Sequence, residues 1–171
     1  MRSAVALAAC VAVLALVNVS IVRKERQLAT GTVVLLELAP VDPRSLLQGD
    51  YMALRFTIAN DALGALPRAA TGARTLWRPN LAAGDGRIVA LLDERSVASY
   101  RRIDDGRPLV ANEVLLRYRV REGQLKFATN AFFFKEGTAA RYQGARYGEF
   151  RVAPDGELLL TGLRGADLRQ L

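Results

Sequence analysis

Residues 113–134 read EVLLRYRVREGQLKFATNAFFF, and the turn in their middle decides the fold class. Val114, Leu116, Tyr118 and Val120 alternate with Leu115, Arg117, Arg119 and Arg121. A period of two sends the first set to one face of a strand and the second to the other. Glu122 and Gly123 supply the turn, and a return strand starts at Gln124. Glu113–Arg121 is therefore a strand of an antiparallel hairpin with one buried and one wet face.

The pattern repeats on either side. GRIVALLD (Gly86–Asp93) and SVASYRRI (Ser96–Ile103) form a hairpin closed near Glu94 and Arg95, with a turn at DDGRP behind it. EFRVAPDGELLLTGL (Glu149–Leu163) forms another around Pro154, Asp155 and Gly156. TVVLLEL (Thr32–Leu38) is a β-branched, apolar first strand. YMALRFTIA (Tyr51–Ala59) is expected as a half-buried strand, with Met52, Leu54, Phe56 and Ile58 inward and Ala53, Arg55 and Thr57 outward. Residues 60–86 carry Pro67, Pro79 and four glycines, which predicts irregular structure with a short helix near Asp61–Leu66. EGTAARYQGARYG (Glu136–Gly148), with its alanines and a closing glycine, predicts the one helix of the domain, capped at Gly148. The sum is a mainly β, small barrel- or sandwich-like domain of roughly eight strands with one helix at about 136–148.

Ahead of it stands a segment of another kind. Ser3–Val22 carries no charge, and Ser3, Asn18 and Ser20 are its only polar breaks. Twenty such residues span about 30 Å as a helix, the thickness of a bilayer's hydrocarbon core. The apolar run is longer than a signal peptide's, and it ends in Arg23, Lys24, Glu25 and Arg26 without a small-x-small site. LAAC (Leu7–Cys10) imitates a lipoprotein box, but most of the apolar run follows the cysteine. An uncleaved anchor over residues 1–26, followed by one domain over 27–171, is expected. The flanking charges nearly cancel and do not orient it.

The net charge is +7, of which residues 1–26 hold +3. The remaining +4 is interspersed with acids, and lysine occurs only at positions 24, 126 and 135, which argues against nucleic-acid binding. The one cysteine, Cys10, lies in the apolar segment, and histidine is absent. That removes a disulfide framework, the commonest zinc ligand, and Ser-His or Cys-His catalysis. No cofactor, metal or catalytic residue is expected.

GDYMALRF (Gly49–Phe56) closely resembles the signature of the bacterial GDYXXLXY protein family, with Leu54 on the family's leucine and Phe56 in place of its final tyrosine. The resemblance extends to PVDPRSL before the motif and to NAFFFKEG and ARYGEFRV after it, from about Glu25 to Leu163. It implies a small, membrane-anchored protein without an assigned activity. It also implies a gene neighbourhood of multi-spanning membrane proteins, an inner-membrane anchor and a periplasmic domain.

Three readings compete for the turn before the motif. In the architectural one, Gly49 and Asp50 shape the bend, Pro43 stiffens it, and Arg44 pairs with Asp42 or Asp50. In the catalytic one, the anchor and Gly-Asp turn resemble type I signal peptidases, with Leu46 and Ser45 on their leucine and threonine. The nucleophile position falls on Val41, so a hydrolase would need Ser45 with Lys126 or Lys135 as base. In the third, Tyr51 and Arg55 present an interface. Three consecutive aromatics, Phe132, Phe133 and Phe134, cannot all face one side of a strand; they are expected to be core, buried on both faces under the following helix, the alternative being one ring exposed for docking. Glu136 is expected as a helix N-terminal charge, and otherwise as a contact residue. Arg117, Arg119 and Arg121 are a solvated face or a seat for phosphate or carboxylate. The expected function is a binding or assembly subunit for a polytopic inner-membrane protein; the alternatives are the serine–lysine hydrolase and a sensor of an anionic envelope ligand on the arginine stripe.

Overall fold

The computed structural model describes residues 2–39, 47–48, 51–66, 84–121, 123–129 and 131–171. The first element, α1 (Arg2–Thr30), is long and apolar enough to cross a membrane. Its apolar side chains from Val5 to Val22 are exposed, as a helix without a protein partner requires. The Gly31 N–H closes the last turn on the Gln27 carbonyl at 2.9 Å.

Ten strands follow among the described residues: β1 (Thr32–Glu37), β2 (Leu47–Gln48), β3 (Tyr51–Ala53), β4 (Gly84–Leu92), β5 (Ala98–Ile103), β6 (Glu113–Arg121), β7 (Gln124–Lys126), β8 (Ala131–Phe133), β9 (Ala145–Val152) and β10 (Leu158–Gly165). Two short helices, α2 (Thr57–Leu63) and α3 (Ala139–Tyr142), interrupt them. The strands form three antiparallel sheets, one a half-barrel, in the orders β1-β9-β10, β2-β3-β8 and β5-β4-β6-β7. The fold is thus mainly β, with the 113–121 strand and the three hairpins where the alternation and turn residues put them.

Among the described residues, few backbone bonds join the sheets. Leu35 N–H reaches the Ser96 carbonyl at 2.8 Å, and Arg117 N–H reaches the Gly156 carbonyl at 2.8 Å. The second bond seats the tip of the β9–β10 hairpin on the part of β6 that β7 does not cover. A third contact belongs to the motif stretch, where Leu38 and Phe56 form an isolated bridge and Ala39 N–H donates to the Arg55 carbonyl at 2.8 Å. Side-chain packing does the rest. Phe56, Phe127 and Phe150 meet edge to face, with centroids 6.2 Å (Phe56–Phe127) and 5.5 Å (Phe56–Phe150) apart. Val34, Leu36, Ile88, Leu116 and Leu163 close the core around them.

Four expectations are corrected. The strand over Tyr51–Ala59 ends at Ala53; Arg55 and Phe56 then meet Ala39 and Leu38, just past β1, and Thr57 starts α2. Ile58, Ala59 and Ala62, at helical spacing, then face the core, so the alternation through Ile58 masked a helix start. The helix over 136–148 contracts to Ala139–Tyr142, and Ala145–Val152 is the central strand of its sheet. Pairing on both edges overrides the alanine-rich composition there. Gly148 is accordingly no helix cap but a buried strand residue: a Cβ on it would stand 3.0 Å from Phe56 Cε1 and 3.1 Å from Phe150 Cε2. Glu136 lies exposed in the turn with Gly137, ahead of the helix rather than in its first turn. Finally, the three phenylalanines are not all core, because Phe133 is 74% exposed.

Gly148→Val should cost about 1–3 kcal/mol in chemical denaturation, since two aromatic rings occupy the space the side chain needs. Gly148→Ala should cost less.

Candidate functional site

The motif stretch divides by face. Met52, Leu54 and Phe56 point inward and are buried, so the family leucine and the final aromatic are packing residues. Tyr51, Ala53 and Arg55 point the other way. Tyr51 pairs across the ladder with Phe133, and Ala53 with Ala131, which puts all four on one side of the small sheet. The Tyr51 and Phe133 rings lie 5.7 Å apart, tilted by 41°. Phe132 and Phe134 turn instead to Tyr142 of α3, at 5.1 and 5.2 Å. Arg55 is exposed, two residues past the end of β3. Asp42, Pro43, Arg44, Ser45, Gly49 and Asp50 lie outside the described residues. Of the serine–lysine alternative, the structure places Lys126 on β7 and Lys135 in the exposed turn after β8.

The arginine stripe on β6 splits as well. Arg117 is tied to Asp155 through its Nη2 at 3.0 Å, and Arg121 to Asp85 at 2.9 Å. Arg119 lies between them, exposed, with no side-chain partner among the described residues. Arg87 on β4, directly opposite Arg117, bonds Asp104 at 2.8 Å. These strands wall a cavity of about 560 Å³ whose charged lining is Arg87, Arg117, Arg119 and Lys126 against Asp85 and Glu157. Tyr118 also lines it, half-buried, and its ring rests over Gly86, where a Cβ would meet the hydroxyl at 2.5 Å. A smaller cavity of about 140 Å³ lies by the motif, over Leu54, Phe56 and Phe127 with Arg55, Asn60 and Gln124 around it.

A third feature was not visible in the sequence. Gln27, near the end of α1, is 7% exposed and is the buried polar residue among those described. Its Nε2 donates to the Arg151 carbonyl at 3.0 Å and to the Glu157 carbonyl at 2.7 Å. One turn earlier, Lys24 Nζ meets Glu157 Oε1 at 2.6 Å. Arg151 returns a bond from its Nη1 to the Gly31 carbonyl at 3.1 Å. The helix end is thereby bolted to the β9–β10 hairpin. A lone glutamine behind a basic flank carries no sequence signal for this, because its partners are 124 and 130 positions away.

Gln27→Ala removes both donors at a buried site and should destabilise the full chain by about 1–3 kcal/mol, read from its cooperative unfolding. Burial raises the Tyr118 phenol above its ordinary value of 10.0, with the Tyr100 phenol adding to the shift. The folded state therefore holds this proton more tightly than the unfolded chain. That stability is present below the ordinary tyrosine range and is lost as pH rises through the raised value. Phenolate absorbance followed on alkaline titration should show one late-titrating tyrosine, absent in Tyr118→Phe.

No curated protein and no solved structure matches the chain. The sequence model described as "GDYXXLXY protein" matches residues 13–163, from the middle of α1 into β10, and the chain belongs to the GDYXXLXY family, with the signature's Leu54 and Phe56 buried in its core.

Proposed function

We propose that the chain is a membrane-anchored binding or assembly subunit whose domain, residues 27–171, lies in the periplasm and docks a polytopic inner-membrane protein through Tyr51, Phe133 and Arg55. The observation that carries this reading is Phe133, exposed to 74% and in ring contact with Tyr51 on the wet face of the β2-β3-β8 sheet. An exposed phenylalanine against a half-buried tyrosine, with an exposed arginine on the same stretch of chain, has the composition of interface anchors. A short sheet with an aromatic outer face has no packing reason to keep that ring in water.

The joint at Gln27 supports a retained anchor. Lys24 and Gln27 are built into the domain through Glu157 and Arg151, so the segment just past the apolar run is part of the fold. Helix and domain meet without a flexible linker, which fixes the height and bearing of the docking face relative to the membrane. A partner lodged in the same bilayer then meets a pre-oriented surface, and less orientational freedom is lost on association.

Full-length protein purified from native membranes in mild detergent should bring with it a stoichiometric integral-membrane partner. Phe133→Ala and Arg55→Ala should each weaken that association by at least about tenfold while leaving cooperative unfolding unchanged, since both side chains are exposed. Association that survives both substitutions, or no integral-membrane partner at all, defeats the proposal.

A further inference from the structure

We propose that the cavity between β4, β6, β7 and the β9–β10 turn binds the phosphate of an anionic phospholipid headgroup, with Arg119 as its principal ligand. This surface is separate from the Tyr51–Phe133 face, and the proposal rests on α1 being a retained membrane span.

Charge is the first argument. The cavity lining holds four cations, Arg87, Arg117, Arg119 and Lys126, against two carboxylates. Both carboxylates are engaged beyond the stripe's centre, Asp85 with Arg121 and Glu157 with Lys24. The cations are also stacked against one another. Arg87 stands directly opposite Arg117, and Arg119 directly opposite Lys126. Arg87 and Arg117 are each already held by a carboxylate, Asp104 and Asp155. Arg121 has one as well, whereas Arg119 has none among the described residues.

Position is the second argument, and it selects the source of the phosphate. Lys24 and Gln27 stand two and five residues past Val22, the last residue of the apolar run. At helical rise that is about 3 and 8 Å beyond the hydrocarbon edge, within a headgroup layer about 5–7 Å deep and at its outer rim. Both residues bond Glu157, and Glu157 lines the cavity. One wall is thus held at the depth where lipid phosphates lie. A volume of about 560 Å³ accommodates a glycerophosphate headgroup and its counter-group. Tyr118, half-buried in the same lining, adds a hydroxyl that can donate to a phosphate oxygen.

The test is a thermal-unfolding titration of the full-length protein in a neutral detergent. Phosphatidylglycerol, phosphatidylcholine and inorganic phosphate are added separately to the wild type, Arg119→Gln and Arg101→Gln. Arg101 is exposed on β5 and outside the cavity, so it controls for bulk charge. Expected is a saturable stabilisation by phosphatidylglycerol that neither of the other two compounds matches. Its midpoint should rise by about fivefold in Arg119→Gln and stay unchanged in Arg101→Gln. Equal responses in the two variants, or no saturable response in the wild type, would overturn the site. A full response to inorganic phosphate would overturn the lipid as its source. The intact mass of the purified chain reports separately whether α1 is retained, so loss of the anchor is told apart from failure of the site.

Discussion

Phe56 holds the three sheets together. It leaves the β2-β3-β8 sheet as an extended residue, meets Phe150 of the β1-β9-β10 sheet and reaches Phe127, which follows the last strand of the four-stranded sheet. Each sheet has its own ladder, and among the described residues only isolated backbone contacts cross between them. The relative placement of the sheets therefore rests on packing, and edge-to-face pairs contribute about 0.5–1.5 kcal/mol each beyond the area they bury. Close approach of Phe56 to β9 requires a residue without a side chain there, which is what Gly148 supplies. This gives the family signature a physical content. Leu54 and Phe56 are two residues apart because an extended chain must deliver both to one interior, and phenylalanine for tyrosine at the second position leaves no phenolic hydroxyl to satisfy there.

What was legible beforehand follows from how local each signal is. The hairpins β4–β5, β6–β7 and β9–β10 carry turn residues and alternation together, within some twenty residues, and their strands pair as that pattern predicts. Ala145–Val152 was misread because its two partners, β1 and β10, are required to make it a strand, and one of them is more than a hundred positions earlier. Its alternation of Gly148, Phe150 and Val152 was present all the same, hidden by the alanines and by a glycine that suits a helix end equally well. The break after Ala53 was illegible for the opposite reason. An extended stretch that changes partner keeps its period of two, so nothing marks the place where the ladder stops. Of the two surfaces, the alternation marks which arginines of β6 and which residues of the motif face outward, and three phenylalanines in a row require at least two faces. Which ring is exposed, and the burial of Gln27, depend on contacts that no window of sequence contains.

Gln27 also shows why the joint between helix and domain is stiff. Lys24 and Glu157 are each about half exposed, and such a pair adds little to stability however short the contact. The two bonds of the buried amide matter more, since each carbonyl it covers would otherwise face a dry neighbourhood with fewer donors. No flexible spacer separates the last apolar turn from β1; Thr32 follows one residue after the helix ends. The geometry of the domain relative to α1 is consequently a property of the fold and not of a linker.

The β9–β10 turn is where these features converge. Asp155 holds Arg117, the Gly156 carbonyl receives the Arg117 N–H, and Glu157 receives both Lys24 and Gln27. Gly156 fits because its φ of 87° and the close approach of Leu115 leave no room for a side chain. Three consecutive residues thus tie the helix end to the basic cavity, so a tilt of α1 that shifts Glu157 must also shift Arg117. Among the described residues, the aromatic face on β3 and β8 has no such bond to the turn. That face is carried on another sheet and is joined to β9 through Phe56 and Phe150, so its bearing to α1 is set by side-chain packing where that of the basic cavity is set by hydrogen bonds and ion pairs.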